Sequence, residues 1–179
     1  MGDWLLSVDR SVLYAIHGFR AVILDYLAVA SSYLGNWGLL WIICAVSMCF
    51  MKTLRKYGFV LLIALLLVHV LGNEVIKPLV SRLRPCDALP VENLLMHPPD
   101  LYSFPSGHAA SSFAAAVIIW AADRKLGVAA FTLAALISWS RVYLFLHYPS
   151  DIVCGAALGI LCAIIVLKVE EMLSKRLLK

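Results

Sequence analysis

The sequence predicts an all-α fold: a polytopic membrane helix bundle of about five transmembrane helices, with six possible, preceded by an N-terminal interfacial helix. Of the 179 residues, 63% are hydrophobic and only 15% are charged, and the mean hydropathy is +0.90. Soluble domains are roughly 45–50% apolar and about 25% charged, so this chain has too few polar residues to cover a surface in water. At about 20 residues for each crossing of the hydrocarbon core, the length excludes a large soluble or nucleotide-binding domain.

The first 20 residues are expected to lie along the membrane surface rather than to cross it. Apolar residues between Trp4 and Ile16 are mixed with charged ones such as Asp9 and Arg10, which is typical of an amphipathic helix at the lipid–water interface. The segment lacks the basic start and uninterrupted apolar core of a signal peptide. Residues 1–20 are therefore predicted to form an interfacial helix.

Apolar runs separated by polar stretches define the predicted spans. Residues 21–51 are too few for two crossings and contain a Gly-Asn-Trp-Gly break at 35–38, so they predict one span preceded by a surface helix. The other four spans are expected at 57–76, 109–122, 126–146 and 152–169. The chain shows no internal repeat, and residues 1–179 are predicted to be a single integral-membrane domain.

The distribution of Lys and Arg predicts the orientation of the chain. Nine of the 15 lie on one side of the membrane if each apolar run crosses once. They are Lys52, Arg55, Lys56, Arg124, Lys125, Lys168, Lys175, Arg176 and Lys179. The positive-inside rule assigns that side to the cytoplasm. We therefore expect a cytoplasmic C-terminus and an exterior position for the loop at 77–104.

Basic and imidazole side chains collect at the predicted outer boundary, against the positive-inside trend. Three separate connections contribute them: Lys77, Arg84, His108, Arg141 and His147. Each cation alone would be typical of an interfacial anchor. An unpaired charge at mid-membrane costs roughly 2.5–3.5 kcal/mol on insertion scales, so a cluster must share water or an anion. Only two acids, Glu74 and Asp151, have a comparable position. An anionic ligand is therefore the simplest way to neutralise the remaining positive charge of the cluster.

Two predicted helix starts in this region suit a phosphate. Ser106 and Gly107 stand at the entrance of the third span, where free backbone N–H groups and the positive end of the helix dipole favour an anion. An ordinary N-cap explains Ser106 equally well when it is taken alone. His147 precedes Asp151 by four residues, so the carboxylate can accept a hydrogen bond from one ring nitrogen and leave the other toward a ligand.

Three motifs together carry a resemblance to a known family. In chain order they are Lys77-(six residues)-Arg84-Pro85, then Pro105-Ser106-Gly107-His108, then Ser140-Arg141-(five residues)-His147-(three residues)-Asp151. This series resembles the signature of the type-2 phosphatidic acid phosphatase family, whose superfamily includes the vanadium haloperoxidases and bacterial acid phosphatases. The resemblance covers residues 77–151 without departing from the signature, and the compact chain is similar to small bacterial members.

The resemblance implies a role for each signature residue. His147 would be a nucleophile that forms a phosphohistidine, Asp151 would orient it, and His108 would act as general acid and base. The phosphoryl oxygens would be bound by Lys77, Arg84, Ser106, Gly107 and Arg141. No metal or other cofactor is expected, because the cluster offers cations and only one well-placed carboxylate.

The expected function is dephosphorylation of a membrane lipid phosphate or diphosphate at the outer face of a membrane. Resemblance to small bacterial members suggests undecaprenyl diphosphate, phosphatidylglycerol phosphate, phosphatidic acid or the 1-phosphate of lipid A, in a bacterial inner membrane. A lipid phosphotransferase that uses the same phosphohistidine and a non-enzymatic lipid or anion carrier are the alternatives. The expected partners are the bilayer and this substrate; no nucleic acid is expected, and the sequence does not indicate an oligomeric state.

Residues beside the motifs receive further predictions. Arg82 is expected to contact lipid headgroups, with a second phosphate as the alternative. Glu74 is expected to pair with Lys77 or Arg141. The loop at 86–104, acidic in its middle, is expected to select the headgroup. An interfacial aromatic belt is predicted from Tyr102, Phe104, Tyr143 and Tyr148.

Overall fold

The computed structural model describes residues 3–98 and 100–177, and it confirms the predicted all-α class. Lys179, one of the nine predicted cytoplasmic cations, lies outside the described residues. The helices of the described chain are α1 Asp3–Gly18, α2 Val22–Leu34, α3 Leu39–Phe50, α4 Arg55–His69, α5 Lys77–Val80, α6 Pro85–Ala88, α7 Gly107–Ala122, α8 Arg124–Tyr143 and α9 Pro149–Leu177.

Three helical segments of the described chain are long and apolar enough to cross a bilayer. One is the 26-residue segment Arg55–Val80, which contains α4 and α5, and the others are in α8 and α9. The pair α2 and α3, bent by 44° at its break, adds a fourth crossing if it is counted as one span. Helix α7 is apolar but has only 16 residues. The structure thus supports three to four spans, and the predicted total of five requires the short α7 to cross as well.

The break between α2 and α3 falls where the sequence predicts an interruption. Asn36–Gly38 forms one 3₁₀ turn, with Trp37 at φ 56° and Gly38 at φ 65°. Left-handed backbone is easy for glycine but uncommon for a bulky side chain such as tryptophan. The turn leaves Trp37 87% exposed and brings Asn36 next to the start of α7.

Lys77 owes its position to a widened turn in the second predicted span. Between α4 and α5 the chain forms a π-helical stretch, Val70–Ile76. Pro78, two residues after this stretch, has no N–H to donate to the carbonyl group of Glu74, so regular α-helical bonding cannot continue through it. Lys77 therefore stands at the junction between the π-helical stretch and α5.

Helix α7 is the centre of the bundle and packs most extensively against α9 and α8. The crossing with α9 is close, since a Cβ added to Gly159 would lie 2.1 Å from the carbonyl oxygen of Ala110. A Cβ added to Gly155 would lie 2.5 Å from the carbonyl oxygen of Ser106. At this crossing the backbone N–H of Ser106 donates to the carbonyl oxygen of Asp151 at 3.1 Å. The second and third motifs are thus held together by backbone contact.

The N-terminal helix packs into the bundle along one side. Leu13 is buried with Val142 and Phe145, and Asp9 is only 1% exposed. Trp4, on the same helix, is largely exposed. The helix is present where the sequence predicts it, and its position at the lipid interface stays a prediction. The sequence pattern did not indicate that Asp9 would be buried.

Candidate active site

A cavity of about 690 Å³ lies between the α2–α3 turn, α4, the outer loop and the start of α7. Five of the eight predicted site residues line it: Lys77, Arg84, Gly107, His108 and Arg141. The remaining three, Ser106, His147 and Asp151, are buried. The other end of the cavity is lined by apolar side chains: Ile42, Leu62, Leu65, Leu66 and Val68. The three motifs thus meet at the polar end of a cavity whose other end is apolar.

His147 is held with one ring nitrogen against a cation and the other toward a carboxylate. Its Nε2 lies 3.0 Å from Nη1 of Arg84. A guanidinium group only donates hydrogen bonds, so Nε2 must be the acceptor and the ring proton must be on Nδ1. That Nδ1 lies 3.5 Å from Oδ2 of Asp151, which is longer than a good hydrogen bond. The lone pair of the imidazole therefore points toward Arg84, one of the cations predicted to bind phosphate.

The surroundings of His147 favour its neutral form. Burial lowers the pKa of His147 well below its ordinary value, and the positive charges of Arg84, Arg141 and Lys77 lower it further, against the opposing charge of Asp100. A neutral imidazole keeps the Nε2 lone pair that a nucleophile needs. His147 is therefore an uncharged ring surrounded by charged side chains.

Arg84 and Lys77 converge on a carboxylate that the sequence motifs do not contain. The guanidinium of Arg84 donates through Nη2 to the side chain of Asp100 and through Nε to its carbonyl oxygen at 2.9 Å. Nζ of Lys77 lies 2.6 Å from Oδ2 of Asp100. Arg84 also donates to the carbonyl oxygen of Leu146 at 2.8 Å, next to His147. Asp100 thus contacts two of the side chains that are predicted to bind phosphate.

Asp100 is held in its ionised form. Burial opposes the charge, but the hydrogen bond from Lys77 and the charge of Arg84 outweigh it and hold the pKa of the carboxyl group below its ordinary value. The negative oxygens of Asp100 contact the same cations that a phosphate would contact. The outer loop, which was expected to select the headgroup, therefore contacts two of the cations that are predicted to bind phosphate.

His108 contacts residues of the α2–α3 break, and Arg141 contacts the last turn of α2. Nε2 of His108 lies 3.0 Å from Oδ1 of Asn36, and a Cβ added to Gly35 would lie 2.7 Å from Cδ2 of His108. Arg141 is buried and donates through Nη1 to the hydroxyl of Ser32. Sequence reasoning missed Ser32 and Asn36. The only signal was their place at and just before a polar break in an apolar run.

The entrance of α7 is an N-cap. Oγ of Ser106 accepts from the backbone N–H of Ala109 at 3.4 Å, which confirms the N-cap alternative. Gly107 lines the cavity, and a Cβ there would lie 3.3 Å from Oδ1 of Asn73. The contacts of Ser106 and Gly107 with a phosphate stay predictions.

The prediction that Arg82 contacts headgroups is wrong. Its side chain is 8% exposed, and its guanidinium lies 2.7 Å from Oδ2 of Asp9 and 2.6 Å from Oδ1 of Asp151. Two buried carboxylates need a buried cation, and they hold Arg82 inside the protein.

The predicted pairing of Glu74 is also wrong. Glu74 is exposed and faces Nε2 of His69 at 3.5 Å, whereas Lys77 contacts Asp100.

Two members of the predicted aromatic belt are buried instead of facing the interface. The hydroxyl of Tyr143 donates to Asp25 at 2.7 Å, and the ring of Tyr148 lies under the guanidinium of Arg82.

Known proteins resemble this chain over most of its length. The family model described as the PAP2 superfamily matches residues 53–175, which contain all three motifs. The chain is 28% identical to the undecaprenyl-diphosphatase of Sulfolobus acidocaldarius, over 93% of this chain and 84% of that protein. It is 28% identical to the lipid A 4'-phosphatase of Bacteroides thetaiotaomicron, over 89% of this chain and 75% of that protein. The crystal structure of Aquifex aeolicus LpxE matches with a TM-score of 0.78 and 29% identity, over 88% of this chain and 93% of that one.

Proposed function

The chain belongs to the PAP2 superfamily and is an integral membrane phosphatase, and from this premise we propose that it releases phosphate from a membrane lipid phosphate or diphosphate through a phosphohistidine on His147. One observation carries the proposal. Nε2 of His147 has its lone pair toward Arg84, and Arg84 lines the polar end of a cavity whose other end is apolar.

The contacts suggest two steps. In the first, Nε2 of His147 attacks phosphorus, the bond from phosphorus to the lipid oxygen breaks, and His108 gives a proton to that oxygen. In the second, His108 takes a proton from water, the water oxygen attacks phosphorus, and the phosphorus–nitrogen bond breaks to regenerate His147. The cations at the polar end, Lys77, Arg84 and Arg141, would neutralise the negative charge of the phosphoryl oxygens in both steps.

The apolar end of the cavity supports a lipid substrate. Leu66 on α4 is 63% exposed and Ile42 on α3 is 39% exposed, and both side chains also line the cavity. A polyprenyl or acyl chain could therefore stay in the bilayer while its phosphate enters between the cations. Relatives named as an undecaprenyl-diphosphatase and a lipid A 4'-phosphatase support undecaprenyl diphosphate and lipid A phosphates as candidates, beside phosphatidylglycerol phosphate and phosphatidic acid.

The proposed location is a bacterial inner membrane, with the active site facing the periplasm and the C-terminus in the cytoplasm. The cations Lys52, Arg55, Arg124 and Lys125 support it, because they lie at the ends of helices away from the cavity. This orientation takes the bent α2–α3 pair, α4, α7, α8 and α9 as five crossings. A C-terminal tag that is reached from outside intact cells would contradict it.

Phosphate release from a panel of lipids tests the function directly. We expect the purified protein in detergent to release inorganic phosphate from at least one of the four candidates, with the same rate in EDTA as without it. Within residues 3–98 and 100–177, no three His, Cys, Asp or Glu side chains lie close enough together to hold a metal ion. Transfer of the phosphoryl group to an added acceptor lipid, without release of free phosphate, would indicate a phosphotransferase. Binding of the lipids without turnover would indicate a carrier, and dependence on added magnesium would contradict the metal-free steps.

Asp100→Asn is expected to strengthen the binding of phosphate analogues. The carboxylate of Asp100 contacts Lys77 and Arg84, so an incoming phosphate has to displace it. A neutral amide competes less well, and one charged hydrogen bond is enough to change affinity about tenfold. We expect the Ki of vanadate and the KM for the lipid phosphate to fall by that factor. Asp87→Asn, an exposed residue of the same loop, is the matched control. Weaker vanadate binding in Asp100→Asn would mean that Asp100 positions the cations rather than competing with phosphate.

A further inference from the structure

Behind the nucleophile, a chain of buried ion pairs connects the N-terminal helix to His147. We propose that Asp9 and Arg82 are positioning residues of the active site, which fix the carboxylate of Asp151 against His147 and keep one net negative charge behind the imidazole. The inference rests on the proposed function and assigns a catalytic purpose to two residues outside the three motifs.

The geometry joins four groups in series. Nη1 of Arg82 lies 2.6 Å from Oδ1 of Asp151, and Nη2 lies 2.7 Å from Oδ2 of Asp9. Asp9 also accepts from the backbone N–H of Ser150 at 2.9 Å and from its hydroxyl at 2.6 Å. The side chains of Asp9 and Asp151 are 2% and 0% exposed. Helix α1 is therefore bonded to the residue beside Asp151 as well as to Arg82.

These contacts leave Asp151 little freedom to turn. Oδ1 is held by Arg82, and Oδ2 accepts from the backbone N–H of Tyr148 at 2.9 Å. Oδ2 is also the atom that faces Nδ1 of His147 at 3.5 Å. The guanidinium of Arg82 is itself fixed over the ring of Tyr148, with Cζ 3.8 Å from the ring centroid. When phosphorus binds Nε2, the Nδ1–H becomes a stronger donor, and a fixed carboxylate is ready to accept it.

The charges explain why a second carboxylate is present. Arg82 alone would cancel the negative charge of Asp151, and the imidazole would then lose its electrostatic support. Asp9 balances Arg82, so the three groups together carry one negative charge. A phosphohistidine has a positively charged ring, and that net charge stabilises it.

A purely structural role is a poorer explanation of these contacts. Burying three charged side chains carries a desolvation cost that apolar packing avoids. Leu13 of helix α1 already packs in one apolar cluster with Phe145, in the same region of the protein. The ion pairs are placed instead at the one carboxylate that faces the nucleophile.

Asp9→Asn and Arg82→Gln test the inference, because they change the charge behind His147 in opposite directions. Both should lower kcat by about 100-fold, as expected when a reacting group is slightly misplaced, and leave KM within about twofold. The acid limb of the kcat/KM profile should move by about one pH unit, to lower pH in Asp9→Asn and to higher pH in Arg82→Gln. The other charged or titratable groups around His147 are unchanged in both variants: Arg84, Arg141, Lys77, Asp100, Asp151 and His108.

Opposite shifts of the acid limb in the two variants would distinguish a positioning role at the active site from a purely structural role. Asp87→Asn should match the wild type in every parameter, and vanadate inhibition reports whether each variant keeps its phosphate site. If both variants keep the wild-type kcat and pH profile, or shift the acid limb in the same direction, the inference is overturned while the proposed function stands. A wild-type protein that releases no phosphate overturns both. Arg82→Gln decides the matter if Asp9→Asn is not recovered in folded form.

Discussion

Replacing His147 by alanine is expected to reduce kcat by about 10⁴-fold or more, the scale seen when a covalent nucleophile is removed. Nε2 of His147 is the ring atom that faces Arg84, so the substitution removes the lone pair from the place where phosphorus would bind. His147 is 1% exposed and follows α8, and the helices around it do not depend on its ring for their backbone bonds. Expression and membrane insertion should therefore be retained.

Trapping of the covalent intermediate distinguishes loss of the nucleophile from loss of binding. Wild-type protein mixed with a radiolabelled lipid phosphate and quenched in alkali should retain label that acid then removes, as expected of a phosphohistidine. His147→Ala should retain none. His97→Ala is the matched control, because His97 is an exposed histidine at the same cavity. Turnover in His147→Ala, or label on another residue, would contradict the assigned nucleophile.

The convergence of the motifs was predictable from sequence because each motif ends or begins an apolar run near one boundary. Lys77 lies at the end of one run, His108 at the start of another and Arg141 at the end of a third. Helices that cross the same bilayer bring such ends to the same depth. The common cavity of these three residues follows from that constraint together with the packing around α7.

The supporting residues were not predictable, because nothing in the local pattern distinguishes them. Asp9 looks like a solvated charge on an amphipathic helix, and its partner Arg82 is 73 positions away. Asp100 lies in a loop without periodicity, where the sequence does not determine which cation it will reach. Asn36 appeared only as part of a helix break. In each case a long-range contact, rather than a helical period, decides the role.

One missed feature did have a signal in the sequence. Gly155 and Gly159 are four positions apart in an apolar helix, a spacing that predicts close packing against a neighbouring helix. The structure places the backbone of α7 against both glycines. This spacing could have predicted that the helix carrying Asp151 packs closely against a neighbouring helix.

His108→Ala is expected to reduce kcat/KM by an amount that depends on the leaving group. When phosphatidic acid is cleaved, the leaving oxygen becomes an alkoxide unless it is protonated, so loss of the general acid should cost about 10⁴-fold, the upper end for proton transfer. When the terminal phosphate of undecaprenyl diphosphate is removed, the leaving group is a stable phosphate monoester. The loss there should be only about tenfold, since little proton transfer is needed in the transition state.

The ratio of the two losses isolates proton donation from every other role of His108. Weaker binding or a disturbed helix start would reduce kcat/KM for both substrates by the same factor. Only the loss of a proton donor affects the two leaving groups differently. p-Nitrophenyl phosphate, which has a good leaving group and no lipid chain, should follow the diphosphate and thereby exclude an effect of the tail. His69→Ala should change neither rate by more than a few fold, because His69 bonds only to Asn73 and Glu74 among the described residues. Equal losses on all three substrates would show that His108 binds phosphate, and the proton would then have to come from water in the cavity.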